Sequence, residues 1–191
     1  RDLHSFPTRR SSDLNADPPI QLPPYRPLRA LLAAIAATAG SSGLASGDRA
    51  WLTTRIHEVV RAYNQLTTAL GTGLIHNDAH PENLLWHPAS PGGVVLGDWD
   101  SVTVGPRELD LIAVDLEPRF GAPGQIRDQF AAAYGHDVRD LSTYATLRDL
   151  YSLRTLTALV RLAPDNPAAA SELHHRITSL RSGNDDRWTP W

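Results

Sequence analysis

The sequence predicts an α+β domain that is predominantly helical. Apolar residues recur at helical spacing over most of the chain, while the β-branched run Val94-Val95 is isolated between turn residues. Gly, Pro and Asn stand where helices should start and stop.

Residues 1–14 show no periodicity, and the stretch from Ser5 to Leu14 resembles translated sequencing-adapter read-through. Residues 1–26 are therefore expected to be a disordered, non-native leader, and residues 27–191 the folded lobe. Residues 17–27 hold five prolines and should be extended. An alanine-rich helix is expected over 27–39, then a Gly/Ser connector from Gly40 to Gly47. A phosphate-binding loop there fails, because no Lys follows and no strand precedes.

Asp48 should cap a long helix to about Leu70, with Trp51, Leu52, Ile56, Val59, Val60, Tyr63 and Leu66 as its buried stripe. Residues 74–76 and 84–86 are short apolar pieces. A hairpin turn at Pro91-Gly92-Gly93 should join the second to a strand at Val94–Gly97. Helices follow at 106–116, at 123–134 with a stop at Gly135, and from a Ser142 cap to about Leu162. Asn166 and Pro167 make a cap and first turn for a last helix ending at Gly183.

A chain of 191 residues suits one compact domain with a real core. Apolar residues at 41%, a net charge of −3 and pI near 6.2 give no reason to expect nucleic acid or an anionic membrane surface. The absence of Cys removes disulfides, zinc thiolates and thiol nucleophiles, and is compatible with a cytoplasmic location. The longest apolar run, Leu28 to Ala39, carries Arg29 and is far short of the roughly twenty residues a membrane span needs. Ala30 to Ala39 resembles a signal core, but the leader before it is Pro-rich and carries Asp2, Asp13 and Asp17.

The chemistry concentrates in His76-Asn77-Asp78-Ala79-His80-Pro81-Glu82-Asn83 and, beyond it, Asp98-Trp99-Asp100. The first segment places a carboxylate and an amide in one loop; the second adds a carboxylate at the end of an apolar run. Phosphoryl transfer needs such a set: one carboxylate for the attacking hydroxyl, an amide oxygen and another carboxylate for Mg²⁺. The spacing H-x-D-x-x-x-x-N matches the catalytic loop of kinase-like folds.

Residues 74–115 resemble the catalytic and metal-binding segments of the aminoglycoside phosphotransferase family, with Asp98-Trp99-Asp100, Gly105 and Asp110-Leu111 completing the pattern. Asp100 stands where protein kinases carry Gly, which favours the small-molecule branch. A looser likeness runs from about Asp48 to the C-terminus. The resemblance implies the C-terminal lobe of the protein-kinase-like fold, with a small β-hairpin carrying the metal-binding Asp. It also implies an ATP-dependent (or other nucleoside triphosphate) phosphotransferase acting on a small-molecule hydroxyl. Asp78 would be catalytic, Asn83 and Asp98 the Mg²⁺ ligands, and His76 and Asp110 supports of the loop. All eighteen basic residues are Arg, so the strand Lys that holds nucleotide phosphates in such enzymes is missing. The N-terminal, nucleotide-clamping lobe is accordingly expected to be absent, and the chain alone inactive.

Other readings stay beside this one. The chain could bind a ligand or partner without catalysis. His76, Asp78 and His80 spell H-x-D-x-H, which would suit a metal-dependent hydrolase. Asp100, two residues beyond Asp98, should point the same way in extended backbone, toward the metal or toward water. Trp86 and Trp99 are expected in the core, Trp188 and Trp191 docked on the body or a neighbour, and His174 and His175 at the surface. The alternation of Asp137, Asp140, Asp149 and Asp165 with Arg139, Arg148, Arg154 and Arg161 reads as solvated helix faces rather than a cationic-drug pocket.

Overall fold

The structure is a computed structural model, described here for residues 22–191. Seven helices and four short strands make up this part: α1 (Arg29–Ala37), α2 (Ser46–Tyr63), β1 (Thr72–Ile75), β2 (Leu84–Trp86), β3 (Val94–Leu96), β4 (Thr103–Pro106), α3 (Leu109–Leu116), α4 (Gln125–Tyr134), α5 (Tyr144–Arg154), α6 (Leu156–Leu162) and α7 (Pro167–Ser182).

The helical body is held by one apolar cluster. Leu31 of α1, Leu52 and Ile56 of α2, Ile112 and Leu116 of α3, Leu147, Leu150 and Leu153 of α5, and Leu173 of α7 are all buried in it. The expected α2 stripe is present: Leu52, Ile56 and Val59 are buried, and Trp51, Val60, Tyr63 and Leu66 pack against them. Each fully buried Leu or Ile contributes about 1.5–3 kcal/mol over an exposed one, so this cluster outweighs every surface ion pair.

Helix ends follow local chemistry where a cap exists. Asn166 Oδ1 accepts the N–H of Ala168 and Ala169 at 3.0 and 3.2 Å, Pro167 fills the first turn, and Gly183 closes α7 at φ 72°. Other ends moved. α2 starts before Asp48, whose buried carboxylate instead meets Arg181 at 2.9 Å and His174 at 3.0 Å. That helix stops at Tyr63, seven residues before Leu70, and two tighter turns follow it. The helix expected to run to Leu162 breaks at Thr155, whose hydroxyl donates to Ser152 O while its carbonyl accepts from Arg176.

Two antiparallel ribbons sit in this helical frame. β2 pairs with β3, from Leu84 opposite Leu96 to Trp86 opposite Val94, and the Pro91–Gly93 turn joins them. Gly93 takes φ 75°, and a Cβ there would come within 2.4 Å of the Trp86 ring, so only Gly fits. β1 pairs with β4, a strand the periodicity did not reveal, from Thr72 opposite Pro106 to Ile75 opposite Thr103. Pro24 bridges alongside Val104, and Tyr25 N–H donates to Val104 O at 2.8 Å. Residues 22–26, read from sequence as part of an unstructured leader, are therefore attached to the fold. The remainder of that leader, residues 1–21, lies outside the described residues.

The tryptophans correct the reading of the core. Trp86 is 75% exposed and Trp99 46% exposed, because the β2–β3 ribbon carries no second layer over them. Trp86 lies against Gly93 across its own hairpin, and Trp99 donates its indole N–H to Leu96 O at 2.7 Å. Trp188 is the buried one, under the Arg119 guanidinium at 4.2 Å and edge-on to Phe120.

Candidate active site

The loop after β1 is braced from α3. Glu108, at the start of that helix, accepts the N–H groups of Ala69 and Leu70 ahead of β1 at 2.7 and 3.1 Å. Two residues on, the Asp110 carboxylate accepts the N–H groups of His76 and Asn77 beyond β1, each at 2.8 Å. One helix start thus holds both ends of the strand that delivers the loop. Burial pushes the Asp110 carboxyl up from its ordinary value, and those two hydrogen bonds pull it part of the way back.

His76 is buried beneath the β2–β3 ribbon. Its Nε2 lies 2.7 Å from Gly97 O, and Trp99 packs edge-on at 4.7 Å between ring centroids. Since a carbonyl only accepts, Nε2 carries the proton and is committed to Gly97. Asn77 takes φ 63°, a left-handed turn that a short polar side chain tolerates, and the chain swings into Asp78.

Asn83 closes the loop on itself. Its Nδ2 donates to Asp78 O at 2.8 Å and lies 3.4 Å from Asp78 Oδ2. Its own backbone carbonyl accepts the Gly97 N–H at 2.8 Å. With the amide nitrogen spent in this way, Oδ1 is left with no hydrogen bond among the described residues. Asp98 follows Gly97 directly, in a left-handed conformation at φ 54°, exposed and with no side-chain partner among the described residues. Gly97 is therefore the joint that ties His76, Asn83 and Asp98 into one construction. Asp100 does not share an extended strand with Asp98; it lies in a 3₁₀ turn over Trp99–Ser101 and is exposed.

Asp78 has a partner that sequence reasoning missed. Arg154, the last residue of α5, donates from Nη2 to Asp78 Oδ1 at 2.8 Å and from Nη1 to Asn77 Oδ1 at 3.0 Å. Arg154 is thus no solvated helix face. No local pattern in the sequence marks this contact, which joins residues 76 positions apart. His80 Nε2 stands 3.6 Å from Asp78 Oδ2, beyond a hydrogen bond. Asp78 faces a cavity of about 610 Å³, whose described walls include Glu82, Glu117, Tyr151, Arg161 and Trp191. That volume falls in the range of small-molecule sites. Burial pushes the Tyr151 phenol up to about 12, so it keeps its proton.

The sequence matches the model of the phosphotransferase enzyme family, APH, over residues 1–150. The chain belongs to that family. Two solved structures share its fold. A choline/ethanolamine kinase family protein from Mesorhizobium loti superimposes with a TM-score of 0.63 at 15% identity, over 88% of this chain and 57% of its own. The amicoumacin kinase hAmiN, solved with AMP-PNP, Ca²⁺ and Ami, gives 0.65 at 16% identity, over 91% of this chain and 54% of its own. A GDP and kanamycin complex of APH(2")-IIIa is similar at a TM-score of 0.50 and 20% identity, over 85% and 54%. This chain spans little more than half the length of those structures. No curated protein matches significantly.

Within this family frame, the structure bonds Asp78 to Asn83 and His76 to Asp110 directly, and Gly97 links the two pairs and leads to Asp98. His174 and His175 do not join them; they bond to Asp48 and to Arg187 O on the α7 side. Among the described residues, no group of three or more His, Cys, Asp or Glu is placed to hold a metal ion. Neither is any helix there long and apolar enough to cross a membrane.

Proposed function

We propose that this chain carries the catalytic loop and acceptor cleft of a kinase that moves the γ-phosphoryl group of a nucleoside triphosphate, ATP in the simplest case, to a hydroxyl of a small molecule. The observation that carries the reading is the Asp78–Asn83 pair. One amide fixes the backbone of the carboxylate that faces the cavity and frees its own oxygen.

The donor set fits Mg²⁺. Asn83 Oδ1 and the Asp98 carboxylate are hard oxygens without partners among the described residues, and Mg²⁺ takes few protein ligands, keeping water and phosphate oxygens for the rest. Bound there, the ion would neutralise charge on the phosphates. Asp78 does the work of this chain. Arg154 occupies its Oδ1, so Oδ2 is the freer oxygen to orient the acceptor hydroxyl and take its proton. His76 and Asp110 keep the loop in place through Gly97 and the two N–H groups, and touch no reacting atom. Alignment accounts for most of the rate, and no covalent enzyme intermediate is required.

The hydrolase reading loses its ligand set. Among the described residues, no group of three or more His, Cys, Asp or Glu is placed to hold a metal ion, so His76, Asp78 and His80 do not form the required set. Soluble, cytoplasmic operation on a small hydroxyl compound, without nucleic acid or membrane, is part of the same proposal.

The test is phosphoryl transfer followed by ³¹P NMR in a protein that joins this chain to a nucleotide-binding N-terminal half. Asp78→Asn should lower kcat roughly 10²–10⁴-fold with the fold intact. Unchanged turnover would remove Asp78 from the mechanism.

A further inference from the structure

The charges around the 610 Å³ cavity are not all committed. Arg154, at the end of α5, and Thr157, Ala158 and Arg161 of α6 line it together. These residues bring two guanidinium groups to the cavity wall. Arg154 is spent on Asp78 and Asn77. Arg176, which also lines the cavity, is buried and bound to Glu172 at 2.8 Å. Arg161, exposed on α6, has no hydrogen bond or ion pair among the described residues, yet it lines the same cavity as the residue that holds Asp78.

The cavity lining also holds three carboxylates. Asp78, His80 and Glu82 belong to the loop, and Glu117 follows α3. The His80 imidazole and Glu82 are the charged neighbours of Glu117, whose carboxyl is raised chiefly by burial. Arg161 differs from the carboxylates in the sign of its charge. Its planar fork is shaped for a carboxylate or phosphate. Ala158, between the two arginines, leaves room along the wall for a ligand to span them.

We propose that the acceptor carries an acidic group, a carboxylate or a phosphate, that Arg161 binds while its hydroxyl lies at Asp78. This rests on the kinase reading of the same cavity and adds the class of acceptor. A polycation would meet a bare guanidinium along that wall. A neutral alcohol would leave Arg161 without use.

Four matched probes decide it, titrated into this chain by calorimetry: gluconate, glucose 6-phosphate, sorbitol and glucosamine. Gluconate or glucose 6-phosphate, whichever matches the true acid, should bind at least about tenfold tighter than sorbitol, the scale of a charge-assisted hydrogen bond. Glucosamine should bind no better than sorbitol. Arg161→Gln should erase the preference with an unchanged circular dichroism spectrum, and Arg161→Lys should restore part of it. Equal binding of all four, no binding of either acid, tighter binding of glucosamine, or a preference that survives Arg161→Gln would each overturn the proposal. These outcomes are independent of the kinase reading, which stands or falls on Asp78-dependent phosphoryl transfer.

Discussion

Arg154 Nη2 lies 2.8 Å from Asp78 Oδ1, so the carboxylate on the catalytic loop is anchored from the end of α5 rather than from the loop itself. The pair is only partly shielded, and partly exposed ion pairs contribute about 0–1 kcal/mol to stability. The value of this contact lies in orientation. Arg154→Gln should lower turnover roughly tenfold or more through misplacement of Asp78 while leaving the melting temperature nearly unchanged. Arg154→Lys should recover little, because an ammonium cannot bridge Asp78 and Asn77 as the fork does. Steady-state kinetics beside thermal melts would separate the two roles.

Asn83 should tolerate Ala better than Asp. Asn83→Ala removes one hydrogen bond to Asp78 O, a loss of about 1 kcal/mol. Asn83→Asp puts a carboxylate oxygen against that carbonyl and beside the Asp78 carboxylate, so it should unfold at lower urea concentration than the Ala variant at neutral pH. Urea titration of the two variants checks this.

Burial holds the Asp110 carboxyl above its ordinary value of 3.8, so the folded protein binds that proton more tightly than the unfolded chain. The contribution is present at low pH and is lost as pH rises through the folded value. Asp110→Asn cannot titrate. Its single carbonyl oxygen must serve both the His76 and Asn77 N–H groups, a deficit of about 1–3 kcal/mol. Denaturation from neutral to mildly acid pH should show the gap between native and variant protein widening as pH falls.

Trp188 pins the C-terminal tail: its backbone N–H donates to Arg119 O at 2.7 Å and its ring lies under the Arg119 guanidinium. Trp188→Ala should cost about 3–5 kcal/mol and free residues 184–191, including Pro190 and Trp191 of the cavity wall. Hydrogen exchange on the tail amides reports the release.

Helices with an amphipathic stripe or a strong terminator were legible in the sequence. Asn166-Pro167 and Gly183 bound α7 as read, and Leu147, Leu150 and Leu153 are buried as their spacing implied. β4 was not legible, because Thr103–Pro106 is too short for alternation and gains its partner only when the chain returns to β1. The break at Thr155 and the Arg154 contact depend on Arg176 and on a loop 76 residues upstream, and no local pattern encodes them. Trp86 and Trp99 depart from the expected burial, because aromatic character alone does not cover a ring: Trp86 stands on an open ribbon and Trp99 in the 3₁₀ turn beyond it. Within the site, spacing proposes Asp78, Asn83 and Asp98, since loop chemistry is local; the geometry bonds Asp78 to Asn83 and reaches Asp98 through Gly97. The brace from Asp110 rested on resemblance until the geometry displayed its two hydrogen bonds.

The most direct test of the account places a paramagnetic ion. Mn²⁺ with ATP, titrated into the ¹⁵N-labelled chain at millimolar concentration, should broaden amide signals around residues 78–83 and 97–100 first. Asp98→Asn should abolish that pattern. Broadening centred elsewhere, or a pattern unchanged in Asp98→Asn, would contradict a shared cation site at Asn83 and Asp98.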